Sequence, residues 1–340
     1  MHPVEALDRI ATLLERKRAG RYKEEAFRRA ADAVRDLPID EQRALADAGR
    51  LKRLPGVGDT TARVIAEALA GDTPEYLARL ETEAAPDAGP GAPVCAALRG
   101  DLHLHSDWSD GGAAIEKMAR KAIEVGHDYI ALTDHSPKVK VANGLSADRL
   151  RKQLEVLAEL NEELAPFRIL SGIEVDILED GSLDQEEVLL AELDVVVASV
   201  HSKLRMESAE MTQRMITALA SPHVDILGHC TGRIIVGRGR PESEFDAELV
   251  FAAAAHLDKA IEINCRPERL DPPMRLLEQV VASGAKVSID TDAHAIGQLE
   301  WQPYGCERAA EADVPTERIV NTWPREQLLA WTASHAAGTG

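Results

Sequence analysis

Residues 100–111 read Gly-Asp-Leu-His-Leu-His-Ser-Asp-Trp-Ser-Asp-Gly, a short apolar run that closes on His103 and His105 before breaking into polar turn residues. Side chains alternate along a strand, so the two histidines share one face and can share one ion. The pattern recurs: strands are expected at 101–105, 129–135, 168–177, 194–201, 224–230, 260–266 and 286–292, with amphipathic helices between them, for example at 113–125, 146–164, 245–257 and 274–282. Such alternation marks parallel βα units. Sustained this long, and with no G-x-G-x-x-G after the first strand, it predicts a closed (β/α) barrel rather than an open doubly wound sheet.

Six of the eleven histidines and three acids fall at or just past the ends of these strands: His103, His105, Asp110, His135, Glu174, His201, His229, Asp292 and His294. All strand C-termini of a parallel barrel meet at one end, where barrel enzymes keep their chemistry. Asp292 and His294 have the same parity as His103 and His105, so they too are expected on one strand face. A single H-x-H is commonly two ordinary polar residues, and a lone strand-end histidine is more often a hydrogen-bonded core residue than a ligand. Ligand-competent groups on six strands of seven are not explained by packing. Imidazole with carboxylate suits zinc, manganese or iron better than calcium or a thiolate-selected metal. His2, His127, His223, His256 and His335 lie elsewhere and are assigned no function.

The chain carries a formal charge of -19, unevenly spread. Residues 1–80 hold 15 Lys/Arg against 14 Asp/Glu, and the rest 24 against 44, so the acidity belongs to the barrel. Cys95, Cys230, Cys265 and Cys306 are widely spaced without a C-x-x-C, which argues for free thiols and against a disulfide framework. No long apolar run or signal-like N-terminus occurs, so a cytoplasmic protein with no membrane partner is expected. Residues 1–82 show helical spacing, as in Val4-Leu7-Ile10-Leu13-Leu14 and Ala62-Ile65-Ala66-Leu69, and should form a small all-α domain. Residues 83–98, rich in Ala, Pro and Gly, read as a linker to a barrel at 99–340.

The successive motifs from Arg99 onward are Asp101-Leu-His-Leu-His-Ser, Ser109-Asp110-Gly111, Leu132-Thr-Asp-His135-Ser, Gly172-Ile-Glu174, Ser199-Val-His201-Ser, Gly228-His229 and Asp292-Ala-His294. This region resembles the PHP family, the polymerase and histidinol phosphatase metalloesterases. It is most similar to the version attached to bacterial family X DNA polymerases, through His229-Cys-Thr-Gly-Arg233, Glu262-Ile-Asn264, Pro267-Glu-Arg-Leu-Asp271 and Asn321-Thr-Trp-Pro324. The resemblance implies a distorted seven-stranded barrel and three divalent ions. It puts His103, His105, Glu174 and Asp292 on a first ion, with Glu174 bridging to a second held by His201 and His229. Asp110, His135 and His294 would hold the third, and catalysis would depend above all on Glu174, Asp292 and His294. Asp110 stands where some members have histidine. Paired ions lower the pKa of a shared water and give a hydroxide for in-line attack at phosphorus. Lys203, Arg233 and Arg266, each just past a strand end, are the candidate phosphate-binding cations, with surface ion pairing as the competing reading.

Leu54-Pro55-Gly56-Val57-Gly58, followed by a helix from Thr60, resembles a helix-hairpin-helix, whose turn N–H groups can hold a DNA phosphate without reading sequence. Gly56 and Gly58 would make that contact, with Arg50, Lys52, Arg53 and Arg63 supplying salt-dependent attraction. Residues 1–80 as a whole resemble the small N-terminal domain of family X polymerases. The position of the lyase amine in that family is matched by Val64, so no lyase activity is expected. The linker leaves no room for a polymerase palm. Three readings follow: a metal-dependent 3'-5' exonuclease or DNA-end processing phosphodiesterase; a histidinol-phosphatase-like phosphomonoesterase acting on a small phosphorylated substrate; and a DNA-binding scaffold without activity. Inorganic phosphate is an expected ligand of the two enzyme readings.

Overall fold

A computed structural model describes residues 1–17, 19, 21–82 and 88–337. Contacts divide the chain into two units, Met1–Pro86 with Ile296–Gln298, and Asp87–Ala295 with Leu299–Gly340.

The first unit is helical: α1 (Pro3–Arg16), α2 (Arg21–Arg35), α3 (Ile39–Asp47), α4 (Asp59–Leu69) and α5 (Glu75–Thr82). Pro3 pre-sets the first turn of α1, and the His2 ring accepts the Val4 N–H there. The apolar stripes close on one core that includes Leu7, Ile10, Phe27, Val34, Ile65 and Leu77. Between α3 and α4 the chain turns at Gly56, with φ at +83°. A Cβ there would also lie 3.1 Å from that of Arg29, so both backbone and packing require glycine.

The second unit begins with α6 (Ala92–Ala97) and alternates strand and helix: β1 (Gly100–Leu104), α7 (Ile115–Glu124), β2 (Tyr129–Leu132), α8 (Ala147–Glu163), β3 (Arg168–Asp176), α9 (Glu187–Leu190), β4 (Val195–Ser199), α10 (Ser208–Leu219), β5 (Ile226–Leu227), α11 (Ala247–His256), β6 (Ala260–Asn264), α12 (Met274–Ser283), β7 (Lys286–Asp290), α13 (Gln302–Glu311) and α14 (Arg325–Ala337). The strands are parallel and lie in sequence order, β1 to β7. The sheet nearly closes: Leu104 bridges Ala293, and the His105 N–H donates to the Ala293 carbonyl at 2.8 Å. Parity along each strand separates two cores. Ile173, Val196, Ile261 and Val287 face outward under the helices. Ala131, Leu170, Val195, Val197 and Ile226 cluster with Trp323, Leu328 and Trp331.

The expected barrel and its helices are present, with corrections. Most strands end earlier than the apolar runs do; the fifth, expected over 224–230, is only Ile226–Leu227. The seventh stops at Asp290, and Asp292 has φ +51°, so strand parity does not place Asp292 and His294 on one face. Within the expected linker, 83–87 lie outside the described residues, whereas 89–97 form a 3-10 turn and α6, with Val94 buried. No helix among the described residues is long and apolar enough to cross a membrane.

Candidate metal centre

Glu174, on the inner face of β3, is the hub. Its Oε1 lies 2.8 Å from His229 Nε2 and 3.2 Å from His201 Nε2. Its Oε2 lies 2.7 Å from His135 Nδ1, 3.4 Å from His103 Nε2 and 3.6 Å from His105 Nε2. Asp292 extends the cluster, with Oδ1 3.5 Å from His105 Nε2 and 3.4 Å from His294 Nδ1. Asp110 Oδ1 caps it, 3.3 Å from His294 Nε2 and 3.5 Å from His135 Nε2. All nine residues read from the sequence therefore converge, although they come from six different strand ends.

The loops that deliver them are built for the purpose. Buried Asp134 accepts from the Ser106 backbone and hydroxyl, the Ser109 hydroxyl and the Gln153 amide, fixing the turn that carries Asp110. Gly228 precedes His229 because a Cβ there would sit 2.4 Å from Ser199 Oγ and 2.8 Å from Val197 Cγ1. His229 itself has φ +20° and Asp292 +51°, a conformation L residues adopt at a cost of about 1–3 kcal/mol and hold only when the surroundings impose it.

The donor set fits divalent cations. His103 Nε2, both ring nitrogens of His105, His135 Nδ1, His229 Nδ1 and Glu174 Oε2 are buried with no hydrogen-bond partner among the described residues. Orphaned buried acceptors are costly and need an account. Four sets of ligand atoms each lie within 4.8 Å of one another: His105, Asp110, His135 and His294; His103, Glu174 and His229; His103, His105 and Asp292; and His135, Glu174 and His201. The first contains the three residues the resemblance puts on the third ion but adds His105, and the third contains His103, His105 and Asp292 of the first ion without Glu174. The other two join His103 to His229 and His135 to His201, across the expected division.

Carboxylates and imidazoles balance each other's charge inside the cluster. Burial opposes ionisation of Glu174, yet His201, His135 and His103 hold its carboxyl well below the usual range. Burial likewise opposes ionisation of Asp292, and Arg266 and His105 override it. Burial and the charge of Arg269 push His229 down to about 4, whereas for His201 the facing Glu174 outweighs burial and raises it to about 9.

Three further residues support these groups; Glu262 and Arg269 lie in motifs quoted from the sequence but were given no role there, and Asp176 was not singled out. Glu262 Oε1 accepts from His103 Nδ1 at 2.6 Å while its Oε2 accepts the His229 N–H, so His103 turns Nε2 to the cluster. Asp176 faces His201 Nδ1 at 3.3 Å. Arg269 Nε lies 3.4 Å from Asp292 Oδ2, and its buried Nη1 has no hydrogen-bond partner among the described residues. Glu262 could have been found by parity, as the one inward-facing acid on the strand that contributes no cluster member.

The expected phosphate-binding cations separate. Arg266 joins the cluster, its Nη1 2.8 Å from His294 Nδ1 and 3.3 Å from Asp292 Oδ1. Arg233 is instead tied to the Arg269 and Leu270 carbonyls, and Lys203 is exposed 3.9 Å from Glu179. In the helical unit Gly56 and Gly58 form the turn before α4, with Arg50, Arg53 and Arg63 exposed. Lys52 is paired at 2.6 Å with Asp59, the first residue of α4.

A family model described as the PHP domain matches residues 101–272, and one described as a helix-hairpin-helix domain matches residues 1–74. The chain belongs to the PHP family. This PHP chain is 42% identical over 224 residues to the Bacillus subtilis (strain 168) DNA polymerase/3'-5' exonuclease PolX, covering 66% of itself and 39% of that relative's length. It is 33% identical over 234 residues to a probable phosphatase of Thermoanaerobacter sp. (strain X514), covering 65% of itself and 89% of that protein. A solved structure of histidinol phosphate phosphatase from Lactococcus lactis, complexed with zinc, L-histidinol and phosphate, covers 72% of the chain and 94% of its own at 17% identity and a TM-score of 0.43, a likeness too slight to argue from. The PHP barrel of this chain is a metal-dependent phosphoester hydrolase.

Proposed function

We propose that the barrel hydrolyses phosphodiesters at DNA ends, as a 3'-5' exonuclease or end-processing activity, with the helix-hairpin-helix unit contributing weak backbone binding. The observation that carries this reading is the pairing in one chain of a helix-hairpin-helix domain with a PHP barrel 42% identical to part of a polymerase and 3'-5' exonuclease.

Three divalent ions of zinc, manganese or iron type are assigned to His103, His105, Asp110, His135, Glu174, His201, His229, Asp292 and His294. Bound there, such ions supply Lewis acidity toward phosphoryl oxygen and a nucleophile from water at neutral pH. The chain's own residues do the rest. Glu174 and Asp292, held ionised among imidazoles, balance cationic charge. Glu262 and Asp176 orient His103 and His201. Arg266, buried against Asp292 and His294, places a fixed positive charge at the cluster, where phosphate charge develops during transfer.

The second reading, a small-molecule phosphomonoesterase, draws on the probable phosphatase that aligns over 89% of its own length. A panel of metal-loaded assays separates the two. Rapid release of nucleotides from single-stranded oligonucleotides supports the first. Fast turnover of histidinol phosphate or nucleotide monoesters with intact oligonucleotides refutes it.

A further inference from the structure

The loops after β4, β5 and β6 are stitched together at the barrel mouth. Ser243 Oγ donates to the Leu204 carbonyl at 2.9 Å, the Ile235 N–H to the Glu268 carbonyl at 2.7 Å, and Arg233 Nε to the Arg269 carbonyl at 2.8 Å. A short antiparallel bridge between Ile234 and Arg240 folds the middle loop into a hairpin. Beside it lies an open cavity of about 730 Å³ lined by Arg233, Arg240 and Arg275 together with Glu242. In a barrel region with an excess of acidic residues, three arginines around one hollow are unexpected.

Its surroundings favour an anion. The lining includes Ser208, the first residue of α10, Phe245, two residues before α11, and Arg275 in the first turn of α12. The Asp246 carboxylate caps α11 and Glu210 lies in the first turn of α10, so the positive helix end left uncompensated by its own first turn is that of α12. Two carboxylates, Glu242 and Glu244, also line the hollow; Glu242 is the one paired with its arginines, 3.6 Å from Arg233 Nη1 and joined also to Arg275 Nη2. Glu242 is 28% exposed and Arg275 62%, so that pairing is a surface one that a doubly charged ligand can displace. The cavity lies close to the metal centre: Arg233, which lines it, donates to the Arg269 carbonyl, and Arg269 Nε lies 3.4 Å from Asp292 Oδ2.

We propose that this cavity is a second phosphate subsite, taking the phosphodiester one nucleotide in from the scissile bond, with Arg240 and Arg275 as its cations and Glu242 as the carboxylate the phosphate displaces. It rests on the nuclease reading and deepens it: a substrate with two phosphates spans the cluster and the cavity, whereas a monoester uses the cluster alone. Arg233 serves as scaffold, since both its Nε and Nη2 hold the 269–270 backbone, whereas Arg240 is anchored to backbone through Nε, on the Gly232 carbonyl.

The test compares wild type, Arg275→Glu and Glu242→Gln as the full chain. Binding of a phosphorothioate-linked 5'-fluorescein tetrathymidylate to the metal-loaded chain is followed by anisotropy, and hydrolysis of the all-phosphate oligonucleotide and of p-nitrophenyl phosphate is measured alongside. Arg275→Glu should weaken oligonucleotide binding about tenfold, as for a lost charge-assisted contact, and Glu242→Gln should tighten it. Turnover of p-nitrophenyl phosphate should not change in either. Equal oligonucleotide affinity in all three proteins, or none in the wild type, overturns the subsite. If the affinities shift as stated but loaded wild type leaves the oligonucleotide intact, the subsite stands and the nuclease reading falls. If the oligonucleotide is cut while the affinities do not shift, the reverse holds.

Discussion

Glu262→Gln is nearly isosteric, yet it should loosen the metal centre from one layer away. The carboxylate receives three donors: His103 Nδ1–H on Oε1, and the His229 N–H and Asn264 Nδ2 at 3.1 Å on Oε2. An amide has only one oxygen to offer. If that oxygen stays toward His103, the NH2 confronts two donors, and a buried unsatisfied donor costs about 1–3 kcal/mol. If the amide flips, it donates to His103 Nδ1 and drives the ring proton onto Nε2, the atom facing Glu174 at 3.4 Å. Either outcome weakens ligation by His103, and loss of such an orienting partner typically lowers metal affinity about 10–100-fold. That removes roughly 1.4–2.7 kcal/mol of metal-linked stability. For a domain of this size the Tm rise on adding Mn²⁺ or Zn²⁺ to chelator-stripped protein should therefore shrink by about 3–10 °C. Differential scanning fluorimetry with and without metal, plus metal content by mass spectrometry after dialysis, reads this directly. An unchanged metal-induced rise with unchanged content would refute the argument that Glu262 sets the His103 tautomer.

Glu174→Ala should abolish hydrolysis of both oligonucleotides and monoesters, by at least about 10³-fold, and lower bound metal as well; full turnover would remove the metal cluster from the chemistry. Asp59→Asn frees Lys52 and takes a negative charge from the start of α4. DNA binding by the full chain should tighten and depend more steeply on salt between about 50 and 200 mM, as followed by anisotropy. Burial pushes His127 down to about 4. The unfolded chain therefore binds this proton first, and stability that is intact at neutral pH is lost as pH falls through the ordinary histidine range toward 4, by about 2–3 kcal/mol. In urea melts across that window, His127→Gln should fall less steeply than wild type, and parallel slopes would contradict the assignment.

The barrel was legible because strand parity and strand-end histidines are local patterns, and the nine cluster residues could be gathered from them. Parity failed where a side chain is delivered by unusual backbone. Asp292, in the left-handed region, sits just past the ladder that should have set its direction. Partner choice was hidden for a related reason. Arg233 bonds to carbonyls of the neighbouring loop, and Glu262 reaches His103 on a strand 159 residues away, contacts fixed by barrel closure rather than by spacing. Lys52 looked like a phosphate ligand because its partner Asp59, seven residues on, faces it only once the turn at Gly56 has formed.

Glu174 has two oxygens and five imidazole neighbours, drawn from four different strand ends. A substitution at any one of those histidines changes what the carboxylate must do for the other four, so damage at separate strands is not independent. The nine donors therefore act as one coupled unit, in which the two oxygens of a single carboxylate tie the strand ends of the barrel to each other.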